Sequence, residues 1–235
     1  MPLIVIDPRL SAAGFAHFRS SEARLLALVA YGRATAIAAG MPYEELEAQS
    51  ECLGGLNGLP TRAHDSAHHE VHEAKAKREA MSEAFQCHAP DHFLMVTAKP
   101  LLTEFEQALR AYQLRSPAAY GHLNLVRDRR LLASLGLGLD EVRPAEFFLA
   151  GGRGSEREYL IQMAVDAKAS HLVTEDNDLL LPGDLCHSDQ RTRHSVRPTT
   201  LEEFVDTELP YNFSFHEVDA FAVLAAAFGT VQRAA

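Results

Sequence analysis

The chain has no tryptophan, only three cysteines and fewer cations than anions, and no apolar run in it approaches the ~20 residues of a membrane-spanning helix. Cys52, Cys87 and Cys186 are odd in number, widely spaced and form no C-x-x-C pair, which argues against a disulfide framework or a cysteine-rich zinc site and fits a reducing compartment. Twenty-two Lys and Arg against 32 Asp and Glu give a formal charge of -10. That balance argues against a general polyanion binder, whose affinity rests on neutralising phosphates. It leaves room for a site that is itself acidic, because a bound divalent cation reverses the sign locally. The first residues, "MPLIVIDPRL", have no basic lead and too short an apolar block for a signal peptide, so a cytoplasmic protein is expected.

What is present is an ordinary globular composition, 47% hydrophobic and 23% charged over 235 residues, enough for one substantial core. "LIVID" (3–7) is a β-branched apolar run suited to a buried central strand and ends on Asp7. "SSEARLLALVAYGRA" offers Ser20 or Ser21 as an N-cap, then Leu25, Leu28 and Val29 at helical spacing. "FLMVTA" (93–98) is a second strand, and Pro100 opens a helix with Leu102, Phe105, Leu109 and Tyr112 on one face. Less regular helices are expected around "VRDRRLLASL" and "EVRPAEFFLA". "SEREYLIQMAVDAKA" reads as a helix feeding strand "HLVT", followed by a short strand "HSVRP" and a helix "TLEEFV".

Alternating strands and helices predict an α/β domain: a central parallel sheet with helices on both faces. Two segments fall outside that pattern. Residues 41–90 are polar and helix-forming around the break "GGLNGLP", as an inserted helical hairpin would be, and residues 207–235 form an extension ending in the apolar helix "HEVDAFAVLAAAFGTVQRA". The whole chain, 1–235, then forms one decorated domain.

In an open parallel sheet, ligands gather beyond the carboxyl ends of the strands where strand order reverses. Asp7 and Asp176 both follow strands, so they can meet there although far apart in sequence. Paired carboxylates repel, and a hard cation such as Mg²⁺ or Mn²⁺ removes the conflict while bridging to phosphate oxygens. The alternative is that Asp176 and Asp178 cap the turn of "LLLPGD".

Four blocks resemble PIN-domain ribonucleases, in particular the branch described as toxin components of bacterial toxin-antitoxin pairs. They are "LIVIDPRLSAAGF" with "SSEARLLALVAYGR", "FLMVTAKPLLTEFEQAL", "EREYLIQMAVDAKASHLVTEDNDLL" and "VRPTTLEEFV", about half the chain. The resemblance implies a PIN-like three-layer fold and a Mg²⁺- or Mn²⁺-dependent ribonuclease; single-stranded RNA is expected as substrate because a deep acidic cleft admits a flexible backbone more easily than a duplex. It also implies a homodimer and an inhibitory antitoxin protein as partners. Its metal acids fall on Asp7, Glu104, Glu158 and Asp176, with Asp178 as a secondary ligand or water-orienting group and Thr174 bonding a carboxylate.

The residues by themselves leave alternatives open. Ser155-x-x-Glu158 is a capping box, and Glu104 and Glu106 are equivalent by periodicity. His64, His68 and His72 step by four beside His69-Glu70, with His88 and His92 nearby; solvated surface histidines compete there with a zinc site. Arg127, Arg129 and Arg130 form either a phosphate contact or a solvated helix face.

Where the family reads Asp-Thr-Asn, this chain reads Asp7-Pro8-Arg9. Pro8 removes a backbone donor, and an inward Arg9 would pair with Asp7 or Asp176 in the metal's place. The second functional expectation is therefore a catalytically silent PIN-like interaction protein, its acidic pocket neutralised by Arg9.

Overall fold

The computed structural model describes residues 2–39, 64–85, 93–139, 157, 159–180, 187–188 and 195–229. In chain order the elements are β1 (Leu3–Ile6), α1 (Pro8–Ala16), α2 (Ser21–Ala38), α3 (His64–Phe85), β2 (Leu94–Ala98), α4 (Lys99–Arg115), α5 (Leu125–Leu135) and β3 (Gly136–Leu139). They continue with α6 (Tyr159–Asp166), β4 (His171–Val173), β5 (His187–Ser188), β6 (Ser195–Thr199), α7 (Leu201–Glu208), a 3₁₀ turn (Phe215–Glu217) and α8 (Ala220–Phe228).

The strands lie in the order β3-β2-β1-β4-β6-β5; the first five are mutually parallel, and β5 is a two-residue antiparallel edge on β6. Every residue of β1, β2 and β4 is buried, as expected for strands covered on both faces. From β1 the chain steps outward to β2 and β3, then returns past β1 to β4 and β6. Crossovers between parallel strands are right-handed, so the helices of the outward steps and those of the return lie on opposite faces. The first face is built from α1, α2, α4 and α5, with α2 and α4 against β2; α6, buried throughout 160–165, packs on β1, β4 and β6. This is the expected α/β architecture. Its topological switch point lies between β1 and β4.

Local chemistry explains the boundaries near that point. Asp7 is the N-cap of α1, its Oδ1 accepting the Arg9 backbone N–H at 2.8 Å, and Pro8 occupies the first helical position. A proline there loses nothing, because its missing N–H would have had no helical partner. The predicted cost of Pro8 therefore does not arise, and α1 is a helix that the sequence pattern did not single out. Ser20 caps α2, its hydroxyl accepting from Ala23 N at 3.2 Å. Gly32 lets α2 approach the backbone ahead of β2: a Cβ there would sit 2.5 Å from the Phe93 carbonyl oxygen.

Within the expected insertion, α3 packs on α2 and α8, and Phe85 stacks edge-on against Tyr31 with ring centroids 5.0 Å apart. The apolar tail helix α8 buries Ala220, Val223 and Leu224 against α2 and α3. Helices α3 and α8 thus join the helical layer on the β2 side. Residues 41–63 and 86–90 of the expected insertion, "EVRPAEFFLA", Ser155, Glu158, His92 and the cysteines lie outside the described residues. Among the described residues no helix is long and apolar enough to cross a membrane.

Candidate functional site

Pairing of Ile6 with Val173 brings β1 and β4 to an end side by side, and the Asp7 N–H extends the ladder to the Val173 carbonyl at 2.9 Å. The next side chains, Asp7 and Thr174, are both buried and meet directly: Thr174 Oγ1 donates to Asp7 Oδ2 at 2.6 Å. The same hydroxyl accepts the Asp176 N–H at 3.1 Å. Asp176 then starts a turn. Its Oδ1 accepts from Asp178 N at 3.1 Å and its carbonyl from Leu179 and Leu180 N–H, so one carboxylate oxygen has the capping role. The other, Oδ2, faces Asp7's neighbourhood.

The third carboxylate comes from α4. Glu104 points at the switch point, where the Tyr159 hydroxyl donates to its Oε2 at 2.5 Å. Glu106 turns elsewhere and pairs with Arg110 at 3.5 Å and Arg129 at 3.2 Å. The geometry thus chooses between two acids that periodicity could not separate. Glu175 is also apart from the cluster: its Oε1 accepts the Leu201 N–H at 2.9 Å and ties the end of β4 to α7.

At the focus of the three carboxylates stands Arg157, 7% exposed. Its Nη2 lies 2.5 Å from Asp7 Oδ1, its Nη1 2.6 Å from Asp176 Oδ2 and its Nε 2.8 Å from Glu104 Oε1. Arg9 occupies the rim instead of the centre. Its side chain is 62% exposed, 3.3 Å from Glu104 and 3.9 Å from Asp176. Three carboxylates against two guanidiniums leave one net negative charge.

Proton affinities follow from that arrangement. Burial works against the Arg157 charge, but hydrogen bonding to Asp7, the Asp7 charge, the bond to Asp176 and the Glu104 charge outweigh it and hold the guanidinium more firmly protonated than usual. Burial also pushes the Tyr159 phenol well above its usual value, helped by its bond to Glu104 and by that carboxylate's charge. Burial would raise Asp176, yet the Arg157 bond, the Asp178 N–H and the charges of Arg157 and Arg9 bring it below its ordinary 3.8.

Of the expected metal ligands, Asp7, Glu104 and Asp176 converge, Glu158 lies outside the described residues, and Asp178 enters through its backbone N–H, its residue being exposed. The donors are hard carboxylate oxygens, the type preferred by Mg²⁺ or Mn²⁺, and a positive group already stands at their focus. Each carboxylate is, however, engaged by a different guanidinium nitrogen, which spreads the oxygens around a planar fork. In that arrangement no three of His, Cys, Asp and Glu among the described residues are grouped closely enough to hold a metal ion. The donor type suits such an ion, and the position at the focus of the three acids is taken by the Arg157 guanidinium.

His72 is exposed on α3, and the side chains of His64, His68 and His69 lie outside the described residues. In "RDRR", Arg127 is committed to buried Asp128 at 2.7 Å and to the His122 carbonyl at 3.0 Å, and Arg129 to Glu106; Arg130 is exposed.

Sequence reading missed Arg157 and Tyr159. The available signal was "EREY", a cation and a phenol at the opening of an otherwise apolar helix, flanking the acid that the family pattern singled out. No family model matches the chain, and neither a curated protein nor a solved structure matches it.

Proposed function

We propose that the chain is a PIN-like, divalent-cation-dependent phosphodiesterase that hydrolyses RNA. One observation carries this reading: Asp7, Glu104 and Asp176, from three separate elements, converge at the switch point of a parallel sheet. Arg157 and Arg9 offset only two of the three charges, and the ligand suited to carboxylates and phosphates together is a hard cation.

Asp7, Glu104 and Asp176 would hold Mg²⁺ or Mn²⁺, with Glu158 added by the family resemblance. When bound, the ion supplies a water made acidic enough to attack phosphorus and a positive charge for the phosphoryl oxygens. The protein's own contribution is positional. Thr174 and the α1 N-terminus fix the two Asp7 oxygens, Tyr159 fixes Glu104, and the Asp178 N–H fixes Asp176. Arg9 and Lys99 line the groove beside these acids and supply cations for the flanking phosphates. A flexible single strand suits a recessed acidic centre better than a duplex. The toxin role, a homodimer, an antitoxin partner and a cytoplasmic setting complete this reading on the resemblance alone.

The competing reading is a silent PIN-like interaction protein, favoured by the burial and threefold pairing of Arg157 in place of the expected Arg9. Melting with Mn²⁺ and cleavage of a labelled single-stranded RNA separate the two. The enzyme gains about 2.7 kcal/mol at a hundredfold excess over the dissociation constant and cuts RNA only with metal; both effects are absent from the Asp7→Asn/Asp176→Asn double variant. No melting shift and no cleavage at tens of millimolar Mn²⁺ would establish the silent reading.

A further inference from the structure

We propose that Arg157 is an internal counter-ion that competes with the divalent cation for the Asp7–Glu104–Asp176 cluster, so that the native chain admits the cation only when this side chain swings out. The inference rests on the reading of the cluster as a cation site and concerns what controls its occupation. A guanidinium that meets three carboxylates on three different nitrogens takes the position a cation needs and holds the oxygens apart. The two occupants are therefore mutually exclusive.

The charge count permits the exchange. With Arg157 and Arg9 present the three acids carry one net negative charge; replacing Arg157 by a divalent cation, with Arg9 still in place, makes the assembly neutral. Keeping both would leave it positive. Geometry makes the exchange feasible without unfolding. The Arg157 carbonyl accepts the Leu160 N–H at 3.0 Å, which ties its backbone to the first turn of α6, so the motion falls on the long side chain. Beside it runs a groove of about 680 Å³, lined by Lys99, Thr103, Gln107 and Tyr159, that can receive the guanidinium. Arg9 cannot do the same job, since it reaches Glu104 and Asp176 from the exposed rim.

The test is Mn²⁺ binding by calorimetry to the full chain, comparing the native protein with Arg157→Gln, Arg157→Lys and Arg157→Gln/Asp176→Asn. Arg157→Gln should bind at least tenfold more tightly than the native chain and Arg157→Lys with intermediate affinity, because the ammonium keeps the charge but loses the fork. The added Asp176→Asn change should abolish the gain. Metal-free Arg157→Gln should melt below the native protein and recover more than the native protein does when Mn²⁺ is added. If it does not fold without metal, the Arg157→Lys comparison decides alone. Equal affinity in the native chain and both single variants would overturn the competition while leaving the cation site standing. Absence of binding in every protein would overturn the cation site, and the competition with it.

Discussion

Thr174 and Asp7 close the seam between β4 and β1: the threonine hydroxyl donates to Asp7 Oδ2 at 2.6 Å and accepts from the Asp176 N–H at 3.1 Å. One fully buried hydroxyl thus serves two acids of the cluster. Thr174→Val keeps the shape but removes both bonds, leaving a carboxylate oxygen and an N–H short of a partner. We expect a loss of about 1–3 kcal/mol in urea denaturation. Thr174→Ser keeps the hydroxyl and should lose less than the valine variant. A reversed ranking would assign the site to methyl packing instead.

Asp7 has two separable duties. Its carboxylate caps α1 through the Arg9 N–H and also receives the Arg157 guanidinium. Asn keeps the cap and gives up the charge, whereas Ala gives up both. Asp7→Ala should therefore be less stable than Asp7→Asn by about 1 kcal/mol, the usual worth of a side-chain N-cap. Both variants should fall below the native protein, since each withdraws a charged partner from a buried guanidinium. Chemical denaturation of the three proteins reads both differences.

Much of the scaffold was legible in the sequence because buried parallel strands announce themselves as continuous apolar runs, as in Leu3–Ile6 and Leu94–Ala98. β3 was not, since "GLGL" reads as a breaker; it becomes a strand through pairing with β2, from Met95–Gly136 to Ala98–Leu139. α1 was hidden by its proline, whose position only the Asp7 cap makes helical. That Asp7 and Asp176 could meet was legible from their places just after two strands of a parallel sheet. Glu104 needed the family pattern, because helical periodicity treats it and Glu106 alike. The Arg157 guanidinium among Asp7, Glu104 and Asp176 was invisible, for a charge next to expected acids has no spacing rule that says which way it points.

That separation of Glu104 from Glu106 can be checked directly. Glu104 Oε1 faces Arg157 and its Oε2 receives the Tyr159 hydroxyl, while Glu106 pairs with two partly exposed arginines. Glu104→Gln should abolish any Mn²⁺-dependent rise in melting temperature. Glu106→Gln should retain it and change stability by about 1 kcal/mol or less, as expected for surface pairs. A rise retained in Glu104→Gln would mean that the cation binds away from the switch point.

Asp176 gives the pH dependence of the same cluster. Its carboxyl is brought below the ordinary 3.8, against burial, by the Arg157 bond, the Asp178 N–H and the charges of Arg157 and Arg9. A group whose folded proton affinity is reduced binds fewer protons in the native state than in the unfolded one, so stability rises with pH across the interval between the two values. Its contribution is complete above 3.8 and disappears as the pH falls through the lower folded value. Asp176→Asn cannot titrate there. The gap in unfolding free energy between native protein and variant should therefore be constant from neutrality to about pH 5 and close progressively below pH 4, as read from urea midpoints at each pH. A gap unchanged down to pH 2 would mean that the Asp176 charge does not stabilise the folded chain, and the Arg157 pairing would lose its energetic basis.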